Sequence, residues 1–194
     1  FNATNGTYVV TGIEHVDGFP ILEKTLDPNR TPPRESHFFK VTQTFGGYIP
    51  ITRGIRIAAL TRVGANIQIV RNSATYPDRL FFLGGVDSLR SHLAESLYPE
   101  DGLEEARKAL GESAGVSTDD IPRGGTVMVN PRAELRIPLT DLLQLGLFLD
   151  AGNLWIRAKN VNLDPRLLRY GLGAGLRVNT PIGPLAFDYG FNLD

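Results

Sequence analysis

The sequence contains no cysteine and only three histidines. Without a thiol, disulfides and thiolate-held metals are excluded. His15, His37 and His92 lie far apart and match no metal-ligand spacing, so they read as ordinary strand or loop residues. An excess of one charge is lacking too: 20 Lys+Arg stand against 21 Asp+Glu, with no block of like sign. Nothing is left over to neutralise a phosphate backbone, which excludes nucleic acid as a partner. No apolar run approaches the roughly 18 residues of a transmembrane helix, and the opening FNATNGTYVV lacks the basic-then-apolar pattern of a signal peptide. No Ser/His/Asp set, metal cluster or phosphate-cradling loop is found. Neither enzymatic activity, catalytic residues, a metal nor a cofactor is expected.

What the sequence has is alternation. Across 194 residues, 42% of them hydrophobic, apolar side chains recur at every second position in segment after segment. Residues 7–14 and 37–48 read as strands, the second with Phe39, Val41 and Phe45 opposite Lys40, Thr42 and Thr44. From Gly54, Ile55, Ile57, Ala59, Val63, Ala65, Ile67 and Ile69 share one parity and Arg56, Arg62, Asn66 and Gln68 the other. Residues 129–138, 143–152, 169–180 and 185–192 continue the pattern, linked as hairpins. The prolines and glycine of residues 17–35 predict a long polar loop. Within residues 91–123 one short helix is expected over 103–110. Asp101 would cap it, Glu104 would complete a capping box and Gly111 would stop it. Its Glu104, Glu105, Arg107 and Lys108 read as a solvated face.

Alternation alone does not say which face is buried, and two architectures fit: a soluble β-sandwich and a membrane β-barrel. The barrel fits better. One parity is aliphatic and aromatic over about 9–11 residues, the span of a membrane strand, while the other carries charges and the glycines Gly171, Gly173 and Gly175. A mean hydropathy of -0.10 is compatible with it, because a barrel shows lipid only its alternate residues. Glycines on a lumen wall clear a channel into which a loop can fold. Residues 76–92, YPDRLFFLGGVDSLRSH, follow neither strand nor helix period and read as that loop. Its tip is Gly84, Gly85, Asp87, Ser88, Leu89 and Arg90, with two glycines free to take positive φ. An arginine inside a lumen is costly unless paired, and the inward parity of the adjacent strands offers Glu134 and Asp150.

The blocks RLFFLGGVDSLR (79–90), GGTVMVNPRAELRIPL (124–139), LGLFLDAGNLW (145–155) and YGLGAGLRVNTPIGPLAFDYGFNLD (170–194) resemble, in order, the C-terminal barrel of the BamA/TamA outer-membrane assembly-factor superfamily. The resemblance implies an all-β, antiparallel transmembrane barrel. Residues 1–194 would be its C-terminal part, with about seven or eight strands. Residues 70–124 would form a lumen-directed loop, and periplasmic POTRA domains and a closing strand would belong to a longer protein. Arg90 matches the arginine of the family's loop tip, and Glu134 and Asp150 match the inward acids that hold it. The family tip continues Arg-Gly-aromatic, whereas Ser91 and His92 stand here, and the stretch 94–122 is longer than usual.

The function implied is insertion and folding of β-barrel proteins in the outer membrane. The expected partners are outer-membrane lipid, client barrel or secreted polypeptides, and periplasmic accessory proteins. Two membrane alternatives are a polypeptide-secreting two-partner transporter of the same superfamily and a barrel platform fused to an enzyme domain. The location expected is the outer membrane of a Gram-negative bacterium or its organelle equivalent.

Overall fold

A computed structural model describes residues 5–18, 36–52, 54–70, 75–110, 121, 123–181 and 183–193. The expected loop over 17–35, apart from Asp17 and Gly18, the helix stop at Gly111 and most of the end of the 94–122 stretch lie outside the described residues.

Seven strands form one antiparallel sheet in chain order: β1 (Gly6–Gly18), β2 (Ser36–Pro50), β3 (Arg56–Gln68), β4 (Val127–Pro138), β5 (Leu143–Trp155), β6 (Arg169–Thr180) and β7 (Gly183–Asn192). Helix α1 (Gly102–Leu110) lies between β3 and β4. Each strand pairs with the next in sequence, so the sheet is an all-next-neighbour meander like the wall of an up-and-down barrel. The register puts the inward residues in horizontal rows. One runs Ala58, Glu134, Phe148, Gly173, Gly190, and the next runs Leu60, Arg132, Asp150, Gly171, Asn192.

The two faces are inverted relative to a soluble sheet. Ile13, Phe45, Ile67, Leu149, Leu172, Phe187 and Tyr189 all project outward and are exposed, whereas Phe148, Asp150 and Glu134 on the other face are buried. No second sheet covers the apolar side among the described residues. An apolar surface of this extent belongs against lipid. The soluble-sandwich alternative is thereby set aside.

The apolar cluster Phe81, Leu83, Leu89, Leu97, Met128 and Leu154 lies on the concave side, between the 75–110 segment and the inner face of β4 and β5. Burying each such side chain contributes about 1.5–3 kcal/mol. The long loop is therefore docked by its own small core. The β2–β3, β4–β5 and β6–β7 hairpins are joined at one end of the sheet, where the turn at 139–142 is short, and the described segments 75–110 and 156–168 lie toward the other. In outer-membrane barrels the short turns face the periplasm and the long loops face outward.

Candidate functional site: a loop tip clamped on the inner wall

The loop enters the concave side through a single 3-10 turn at Pro77–Arg79. The Arg79 carbonyl accepts hydrogen bonds from Lys40 Nζ (3.0 Å) and Asn66 Nδ2 (3.1 Å), and its guanidinium pairs with Glu14 at 3.2 Å. Phe81 then bridges to Gly125 and lays its ring against Gly64 and beneath Lys40, which lies 4.5 Å from the ring centroid.

At the tip, Gly84 and Gly85 take φ of 109° and 92°, the left-handed region that favours glycine. A Cβ on Gly84 would strike the Leu93 carbonyl. Gly84 N–H donates to Ser88 Oγ (2.8 Å), Gly85 N–H to the Leu89 and His92 carbonyls (3.1 and 3.0 Å), and Ser88 N–H to the Gly85 carbonyl (3.1 Å). Leu89 is fully buried, and Asp87 contributes its carbonyl rather than its carboxylate. The turn thus closes on itself and presents Arg90 to the wall.

Arg90 reaches two strands at once. Nε and Nη2 donate to Asp150 Oδ2 and Oδ1, both at 2.8 Å, and its backbone N–H donates to Asp150 Oδ2 at 3.2 Å. Nη1 donates to Glu134 Oε2 at 2.7 Å and lies 3.4 Å from Asp188 Oδ2. The guanidinium carbon sits 3.6 Å above the Phe148 ring centroid, which adds a cation–π contact. Burial disfavours the charge, but the Asp150 and Glu134 hydrogen bonds outweigh it and raise the guanidinium pKa above its ordinary value. The side chains of Arg90, Glu134 and Asp150 are 6%, 9% and 0% exposed, so water screens these pairs little.

The structure brings Arg90, Glu134 and Asp150 together and adds residues that the sequence reading missed. Arg132 donates to the Asp87 and Val86 carbonyls (2.8 and 3.1 Å) and leans on Asp150 (3.4 Å). Arg136 donates to Glu134 Oε1 at 2.9 Å. Arg177 donates to Glu134 Oε2 at 2.9 Å and pairs with Asp188. The inward parity of Arg132, Arg136, Arg177 and Asp188 was the available signal. Register across β6 and β7, which places Gly175 opposite Asp188, was needed to use it.

The three lumen-wall glycines have different neighbours. A Cβ on Gly171 would collide with the Ser91 side chain, one on Gly173 with the Phe148 ring, and one on Gly175 with Asp188. Gly190, outside the expected set, faces the Ser91 backbone, where a Cβ would lie 3.0 Å from Cα and 3.1 Å from N. Ser91 Oγ and His92 Nδ1 hydrogen-bond to each other at 2.9 Å.

Beyond the tip, the Asp101 side chain does not serve the expected capping box. Its carboxylate accepts from Ile156 N–H (2.7 Å), Arg157 N–H (3.0 Å) and Asn160 Nδ2 (2.8 Å). Glu104 pairs instead with Lys108 one turn on, whose hydrogen bond holds the Glu104 carboxyl below its usual pKa. Ala106 is buried and Glu105 pairs with Arg157, so part of the face expected to be solvated docks on the β5–β6 connection. Among the described residues, no three His, Cys, Asp or Glu side chains are placed to hold a metal.

A meandering sheet, apolar outside and charged inside, with a loop lodged on its inner face, defines an outer-membrane β-barrel protein. The chain matches the Omp85 superfamily domain over residues 1–194 and belongs to that superfamily. It is 25% identical over 187 residues to outer envelope protein 39, chloroplastic, of Arabidopsis thaliana, covering 91% of this chain and 50% of the relative. The crystal structure of BamA from Haemophilus ducreyi lacking POTRA domains 1-3 shares the fold. Its TM-score is 0.61 at 24% identity, covering 86% of this chain and 37% of that one. The chain therefore spans half the length of the curated relative it matches and a smaller share of the structural one.

Proposed function

We propose that this chain is the C-terminal part of the barrel of an outer-membrane assembly factor that folds and inserts β-barrel proteins. Further strands would complete the wall, and POTRA domains would precede it in the longer protein. The observation that supports this reading is the clamp of Arg90 onto Glu134 and Asp150, which makes the loop a fixed part of the wall. No covalent chemistry is required. A braced wall keeps its shape while a weakly paired seam offers unpaired backbone groups as a template for an incoming client strand. Periplasmic accessory proteins would deliver the client, and lipid would receive it.

The test is insertion of an unfolded barrel client into proteoliposomes that carry the full-length protein, read as heat-modifiable, protease-resistant product. Wild-type protein is expected to accelerate insertion and Arg90→Ala to lose most of that acceleration. A wild-type protein that leaves insertion unaccelerated, yet passes an unfolded polypeptide across the bilayer with a conductance that Arg90→Ala widens, overturns the assembly reading in favour of polypeptide secretion.

A further inference from the structure

Among the described residues, charge does not balance around the loop tip. Arg90, Arg132, Arg136 and Arg177 converge on Glu134, Asp150 and Asp188, four guanidiniums against three carboxylates. Glu134 alone accepts from Arg90, Arg136 and Arg177.

Beside this cluster is a cavity of about 160 Å³, bordered by Tyr8, Tyr48, Arg90, Arg132, Glu134 and Arg136. Arg136 spends only Nε on Glu134, and its guanidinium lies 5.5 Å from the Tyr48 ring centroid. Among the described residues, neither Nη of Arg136 has a protein acceptor, and the Tyr8 and Tyr48 hydroxyls have no protein partner. The site therefore offers the unused Nη donors of Arg136 in a space that Tyr8 and Tyr48 also border.

We propose that this cavity binds the carboxylate of an acidic polypeptide segment lying along the inner wall. A guanidinium fork suits a carboxylate's two oxygens, and the volume, worth about five waters, holds an Asp or Glu side chain. Ala58 and Leu60 line the same space and would cover the methylene stem, a use that a free inorganic anion does not have. The proposal rests on the reading that the barrel handles extended polypeptide clients, and it names a feature of those clients: acidic residues are held in the lumen before release.

The test is fluorescence anisotropy of labelled hexaglutamate with the full-length protein in detergent micelles. Loop protease resistance and heat-modifiable migration confirm that each variant is folded. Hexaglutamate is expected to bind and hexalysine not to bind. Arg136→Gln should weaken binding about tenfold, and Tyr48→Phe, which removes only a hydroxyl, should weaken it by a smaller factor. Equal binding of hexaglutamate to wild type and both variants, or equal binding of hexalysine, overturns the proposal. So does inorganic phosphate saturating the site at concentrations where hexaglutamate does not bind. The two readings fail separately. Missing hexaglutamate binding beside intact client insertion sinks this site alone, while Arg136-dependent binding without insertion activity sinks the assembly function alone.

Discussion

Arg90→Ala would leave Asp150, fully buried, with only the 3.4 Å contact from Arg132 and the Arg90 backbone N–H. Breaking a buried pair by removing one partner costs about 3–5 kcal/mol. Glu134 keeps Arg136 and Arg177, so the low end of that range applies. The expected outcome is proteinase K cleavage of the 75–110 segment in membranes at a much higher rate than in wild type. Arg90→Lys, which keeps the charge but loses the fork, should fall between. The glycines make a sharper pair. A Cβ on Gly171 meets the Ser91 side chain, whereas one on Gly190 meets the Ser91 backbone. Gly171→Ala and Gly190→Ala should both loosen the tip, and adding Ser91→Gly should rescue the first but not the second. Rescue of both in the same protease assay would mean that only the Ser91 side chain is tightly packed.

At the scale of elements, the outward strand positions and the loop carry separate expectations. Leu172→Arg places a charge on the lipid face of β6 and should cost about 2–4 kcal/mol if that position lies near the bilayer midplane. Thr44→Glu, on the inward face of β2 opposite Arg62, should cost little. Urea titration of folded, heat-modifiable species distinguishes them. Asp101→Ala strips three donors of their acceptor, at roughly 1–3 kcal/mol for a buried unsatisfied group. Faster amide exchange at Ile156 and Arg157 with unchanged exchange near Arg90 is expected. The limits of legibility also appear at this scale. Period two marked β6 over its full length, because its inward glycines and outward leucines never break step. It stopped short in β5, where Ala151 to Trp155 are buried on both faces and alternation no longer reports which side is which. Asp101 illustrates a different limit: a cap-forming residue is recognisable in sequence, but its choice of a partner on the β5–β6 connection is a tertiary fact.

For the whole molecule, the inverted faces make the outside a lipid surface and the concave side the place where polar chemistry and the small apolar core meet. Glu134 and Asp150 could be read from parity because each lies inward on a strand flanking the loop. For Asp188 parity was not enough, since its place 3.4 Å from Arg90 follows only once the β6–β7 register is known. The central claim is that the loop tip lies on the inner wall of a membrane barrel. Its most direct test is a disulfide between Ser91→Cys and Gly190→Cys in the full-length protein within native membranes, in a background without other cysteines. A Cβ at position 190 would lie 3.2 Å from that of Ser91 and 3.0 Å from its Cα, so the tip steps back by roughly half an ångström, the same loosening expected of Gly190→Ala, to reach the usual disulfide spacing of about 3.8 Å. Near-complete crosslinking under mild oxidation, seen as a shift in migration that reductant reverses, is the predicted result. Two free thiols, each labelled by externally added maleimide and unlinked after oxidation, would place the tip away from the wall and contradict the account.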